Sequence, residues 1–169
     1  VNAEEASGAT IADAVEQGHA SRVRSLLDAG GDVNGAQVDG MTALHWAAYF
    51  DDASTAALLV EAGAKVNAEN HYGVTALSLA ATNRNASLVA LLLDSGADAN
   101  ASLRGGETVL LTAARTGSLA VVEALLASGA DPNATERREQ TALMWAAADG
   151  HAAVVRALID AGAEIDATL

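Results

Sequence analysis

The side chains able to do acid–base or metal chemistry are few and scattered. Histidines stand at 19, 45, 71 and 151, with no His-Glu-x-x-His pair. No cysteine is available to complete a metal set or act as a nucleophile. Asp51 and Asp52 are paired carboxylates, but adjacent residues on a helix or at its end point apart. The sequence holds no phosphate-cradling glycine loop, no Gly-x-Ser-x-Gly and no calcium loop. These residues read as those of a non-enzyme without metal or cofactor. What remains is recognition chemistry, carried by five aromatics (Trp46, Tyr49, Phe50, Tyr72 and Trp145) and a handful of arginines. Large rings anchor interfaces, and guanidinium groups grip carboxylates in pairs.

The elements that position these residues repeat. Thr42-Ala43-Leu44-His45-Trp46-Ala47-Ala48 returns as Thr75-Ala76-Leu77-Ser78-Leu79-Ala80-Ala81, Thr108-Val109-Leu110-Leu111-Thr112-Ala113-Ala114 and Thr141-Ala142-Leu143-Met144-Trp145-Ala146-Ala147, each 33 residues on. Gly30, Gly63, Gly96, Gly129 and Gly162 keep the same period, as do Asn34, Asn67, Asn100, Asn133 and Asp166. Three unrelated markers in register identify a repeat protein. Each unit carries a second apolar stretch with aligned columns Val23/Ala56/Val89/Val122/Val155, Leu26/Leu59/Leu92/Leu125/Leu158 and Leu27/Val60/Leu93/Leu126/Ile159. Spacings of three and four put these columns on one helical face. The following glycine closes the helix in the left-handed conformation, and the threonine caps the next one. Asp39-Gly40, Tyr72-Gly73 and Gly105-Gly106 mark the tips of hairpin-like fingers, where glycine supplies positive φ. Glu139 takes that place in the last finger, so that turn must differ or carry strain.

Period and residues together resemble the ankyrin repeat. The family's Thr-Pro-Leu-His-x-Ala-Ala opening survives as Thr42-Ala43-Leu44-His45-Trp46-Ala47-Ala48. Its Gly-His pair survives at Gly18-His19 and Gly150-His151, and its Gly-Ala-Asp-x-Asn ending at Gly96–Asn100 and Gly129–Asn133. The resemblance covers about residues 9–169. It implies an all-α solenoid of five helix-turn-helix units with fingers, at about 9–41, 42–74, 75–107, 108–140 and 141–169, after a flexible lead-in at 1–8. It also implies that His19, His45 and His151 make structural hydrogen bonds. Alanine or valine replaces the motif proline throughout, and the motif histidine survives only as His45; fine loop geometry departs from the family accordingly. Asp13, where later units have Trp46, Leu79 or Trp145, suits a polar terminal unit. Three glycosylation-type triplets begin at Asn85, Asn100 and Asn133; two of them fall on the repeated asparagine and are explained by the repeat itself.

Composition narrows the partners. With 22 acidic and 9 basic residues the net charge is −13, which argues against nucleic acid and against anionic membranes. No apolar run reaches the roughly 20 residues of a membrane span. Hydrophobic residues make up 51% and aromatics 3%, so the core is aliphatic and alanine-rich. The last unit carries Val154, Val155, Leu158 and Ile159 with no polar cap before Leu169. That predicts a parent protein continuing further, and weak end-to-end association of an otherwise monomeric chain. The alanine-rich motif resembles bacterial more than animal relatives, leaving cytoplasmic, periplasmic or secreted placement open.

The family resemblance implies that a protein partner binds the concave face, built from finger tips and exposed first-helix residues. All five aromatics fall on a finger or a first helix. Trp46, Tyr49, Phe50 and Tyr72 are candidate anchors, with His71 exposed beside them; Trp46 and Trp145 can alternatively fill gaps between repeats. Glu16, Asp39, Asp51, Asp52 and Glu69 gather on the first two units of this face, and Arg84, Arg104, Arg115, Arg137 and Arg138 on the last three. The arginines suit a carboxylate-bearing patch on the partner, although an ordinary solvated surface accounts for them as well. The expected function is a non-catalytic module for an elongated polypeptide. A small-molecule or glycan site near Tyr49, Phe50 and Tyr72, and an architectural or regulatory role within a longer polypeptide, are the alternatives.

Overall fold

The computed structural model describes residues 10–165. The expected lead-in at 1–8 and the polar position at Asp166 lie outside the described residues. Thr10, Thr42, Thr75, Thr108 and Thr141 each hold an extended backbone and accept the amide three residues on through the hydroxyl. Such a cap contributes about 1 kcal/mol. It starts the first helix of each pair: α1 (Ile11–Glu16), α3 (Ala43–Tyr49), α5 (Ala76–Thr82), α7 (Val109–Thr116) and α9 (Ala142–Ala148). Asp13, His45 and Ser78 return a side-chain bond to the threonine amide and complete a capping box. Leu111 has no acceptor to offer there and Met144 only a weak thioether, and their helices keep the threonine bond alone.

The second helices are α2 (Ala20–Asp28), α4 (Ala53–Glu61), α6 (Ala86–Asp94), α8 (Leu119–Ala127) and α10 (Ala152–Asp160). Each packs on its own first helix. The first helices stack in one row, from α1 through α3, α5, α7 and α9; α4, α6, α8 and α10 stack in a second. Alanines of the first row (Ala43, Ala47, Ala48, Ala76, Ala80, Ala81, Ala113 and Ala114) are fully buried, because only a methyl fits where backbones approach this closely. Among the described residues none of the ten helices is long and apolar enough to cross a membrane.

One packing expectation needs correction. The columns through Val89 and Leu92 are buried except at Val155 and Leu26, which are half-buried, whereas Leu27, Val60, Leu93 and Leu126 are half-buried against the core and Ile159 is exposed. The third buried column runs through Thr55, Leu88, Val121 and Val154 instead. A second helix is clamped by its own first helix and by the neighbouring second helix. The buried stripe therefore turns toward positions i, i+1 and i+4 rather than centring on i+3 and i+4.

After each second helix the expected glycines adopt positive φ, from +76° at Gly30 to +93° at Gly162. Four asparagines then join successive units. Asn34, Asn67, Asn100 and Asn133 each donate Nδ2–H to the helix-closing glycine carbonyl of the next unit, at 2.8–3.2 Å. Their Oδ1 atoms accept the amides of Lys65, Asp98, Asp131 and Glu164 at 2.7–2.8 Å. This accounts for the asparagine of two glycosylation-type triplets. Asn85, which begins the third, caps α6.

The fingers fold as tight turns. Gly40, at φ +86°, lies so close to the next finger that a Cβ would come within 3.0 Å of the Asn70 Cα. Glu139 occupies the same left-handed region, at φ +60°. The last finger therefore keeps the turn of the others and carries the strain that a side chain brings there.

Candidate functional site

His45, His151, Asp51 and Asp52 are structural parts. His45 is 1% exposed; its Nδ1 lies 2.8 Å from the Thr42 hydroxyl and its Nε2 2.8 Å from the Val74 carbonyl of the next finger. Burial lowers its pKa from the usual value, partly offset by the Val74 bond. His151 reaches back to the Arg115 carbonyl at 3.1 Å. His19 is exposed and makes no capping bond, because no earlier helix pair stands beside it in the described stack to offer a carbonyl. Asp52 caps α4, while Asp51, at φ +61°, accepts a 2.6 Å bond from Asn85. Among the described residues no three histidines or carboxylates are grouped as a metal site would need.

The aromatics assemble differently. Trp46 meets Tyr49 edge-on at 5.6 Å and stacks on Phe50 at 5.7 Å, and Tyr49 meets Phe50 edge-on at 5.2 Å. Trp46 is half-buried against the core, but Tyr49 and Phe50 are 55% and 51% exposed. Tyr72, 68% exposed at a finger tip, stands apart from this trio. It lines an open groove of about 830 Å³ with Trp46, His71, Val38, Asp13, Glu16 and Asp39. Trp46 thus belongs to both: one part of its ring packs with Tyr49 and Phe50, and another faces the groove.

Gln37, one of the finger residues expected on the concave face, organises this groove. Gln37 takes the Trp46 indole N–H on its Oε1 at 2.7 Å. Its Nε2 donates to Asp13 at 2.8 Å and to Glu16 at 2.7 Å. Indole can only donate, so the amide has one orientation, oxygen toward Trp46 and nitrogen toward the carboxylates. The Asp13 carboxyl is held below its usual pKa, first by Gln37 and then by the Thr10 backbone and hydroxyl. Nothing in the linear sequence links position 37 to positions 13 and 16.

The arginines do not form one cluster. Arg137 donates to the Arg104 carbonyl at 2.7 Å, which ties two fingertips together. Arg115 pairs with Glu107 at 3.1 Å and lies 5.8 Å from the centre of the Trp145 ring. Arg115 and Arg138 share a cavity of about 90 Å³ with Glu107, Glu136 and Trp145. Arg84 sits beyond the C-terminal end of α5, at φ +60°. That is a helix length from the fingers, about 10 Å at 1.5 Å per residue.

A family model described as ankyrin repeats in three copies matches residues 11–103 and again residues 98–168. None of the curated proteins matches the chain significantly. The paired helices, the threonine caps and the closing glycines agree with that match, which spans most of the sequence. The chain belongs to the ankyrin repeat family.

Proposed function

We propose that this single repeat domain is a non-catalytic module that holds an elongated polypeptide partner against its fingers and first helices. Ankyrin repeats are generally protein–protein interaction modules. What supports the particular face is the exposure of Tyr49, Phe50 and Tyr72 beside Val38. These large apolar groups remain in water although the stack already buries an aliphatic core without them. The partner's apolar side chains cover these rings, and its carboxylates meet Arg104, Arg115, Arg137 and Arg138. Arg84 contributes only to a partner that extends past the end of α5.

The experiment compares the chain with a Tyr49→Ala/Phe50→Ala/Tyr72→Ala variant, each immobilised and exposed to lysate of the source organism, with retained proteins read by mass spectrometry. The expected result is a protein held by the unchanged chain and lost by the variant, while both give the same circular dichroism spectrum. Equal retention by the two chains overturns the aromatic face as the binding surface.

A further inference from the structure

The groove between α1, α3 and the first two fingers holds its negative charge in a specific arrangement. Asp13 and Glu16 are drawn onto a single amide nitrogen of Gln37, and Gln37 is locked in turn by the Trp46 indole. Asp39 lines the same groove. Both carboxylates accept from one neutral donor, so hydrogen bonds are made while the amide brings no positive charge to balance them. None of the three has a salt-bridge partner among the described residues. The same groove is lined by the apolar and aromatic side chains of Trp46, Tyr72 and Val38.

We infer that this groove takes the side chain of an arginine in the partner polypeptide, an inference that rests on the polypeptide-binding reading above. The chemistry favours that side chain over others. A planar guanidinium presents several N–H donors in a fixed fork and can bridge two carboxylates that a single amide already holds close. Its flat face stacks on an aromatic ring such as Tyr72 or Trp46, which supplies the negative face a cation seeks. The carboxylates are set before binding by the Trp46–Gln37 relay, so little ordering is lost when the arginine arrives. A carboxylate-bearing or neutral side chain would meet only repulsion or unmatched acceptors. The partner therefore runs with an arginine over the first two helix pairs and acidic groups toward the arginines of the last ones.

The test pans a random peptide library against the immobilised chain. Asp13 also serves the capping box of α1, so the informative variant is Glu16→Gln. It keeps an oxygen for the Gln37 amide and removes only charge, and a thermal melt checks that the fold is unchanged. The expected outcome is enriched peptides carrying an arginine. Replacing that arginine by citrulline, its neutral isostere, weakens binding by about tenfold or more. Glu16→Gln produces a loss in the same direction, and both losses shrink in high salt. Enriched peptides that bind through Tyr72 but carry no arginine, or tolerate citrulline, overturn this inference and leave the polypeptide-binding reading standing. A library yielding no peptide sensitive to Tyr72→Ala overturns both.

Discussion

The imidazole of His151 lies directly over Gly117, so close that a Cβ on residue 117 would come within 2.5 Å of the ring. Gly117 is also left-handed, at φ +73°, and closes α7. The register that places His151 over Gly117 places Asn85 beside Asp51, and there a side chain is tolerated because asparagine bonds to it instead of covering it. Gly117→Ala therefore combines a backbone penalty with a steric clash. It is expected to cost about 2 kcal/mol or more, whereas Gly18→Ala, with nothing within 4 Å, incurs the backbone penalty alone. Urea denaturation of the two variants checks the difference; equal losses would show that His151 moves aside freely.

His45 gives the fold a pH dependence. Its folded pKa is lowered from 6.5, so as the pH falls below that value the unfolded chain takes up a proton that the native state refuses. Stability is therefore full above about pH 6.5 and is lost progressively as the pH falls toward the lowered native value. Replacing His45 by serine, the residue at the equivalent position 78, keeps an acceptor for the capping box but removes the titrating ring and its Val74 bond. His45→Ser is expected to be less stable at pH 7.5 by roughly 1–3 kcal/mol and to show a flatter slope between pH 7.5 and 5. Parallel slopes in the two proteins would assign the acid sensitivity to other groups.

Glu139 carries strain without a compensating contact: among the described residues its side chain makes no hydrogen bond or ion pair. Glu139→Gly is expected to stabilise by about 1 kcal/mol, raising Tm by roughly 2–4 °C for a chain of this size. Asp51→Gly relieves the same backbone strain but forfeits the 2.6 Å bond to Asn85, so its gain is smaller. Calorimetry of both variants separates strain from hydrogen bonding.

The Trp46–Tyr49–Phe50 trio separates binding from stability. Truncating Tyr49 or Phe50 removes edge-to-face contacts worth about 0.5–1.5 kcal/mol while leaving the fully buried residues untouched. Tyr49→Ala/Phe50→Ala is therefore expected to lower Tm by only a few degrees. A collapse of the fold in this variant would mean that the rings belong to the core after all.

The sequence by itself determined the repeat, because a stacked array imposes the same local demands on every unit. A threonine hydroxyl must cap, a glycine must turn left-handed, and an asparagine must bridge to the next turn. Those demands are met within a few residues or at a fixed offset of about one repeat, so they leave a periodic trace. The exposed positions of Tyr49, Phe50 and Tyr72 were legible for the same reason, since register alone excludes them from the buried columns. The buried stripe was read slightly off, through Leu93 rather than Leu88, because helical periodicity defines a face but not which neighbours press on it. Only the tertiary structure decided which charges act together. Arg84 shares a sign with Arg104 and Arg137 but sits at the other end of its helix from the fingers. Asp13 and Trp46 stand at equivalent positions one repeat apart, but nothing periodic ties Gln37 or Glu16 to them; the stacking of α1 on α3 brings the four into one hydrogen-bonded chain. A side-chain network depends on direction and reach across an interface, and those are fixed only when the helices pack.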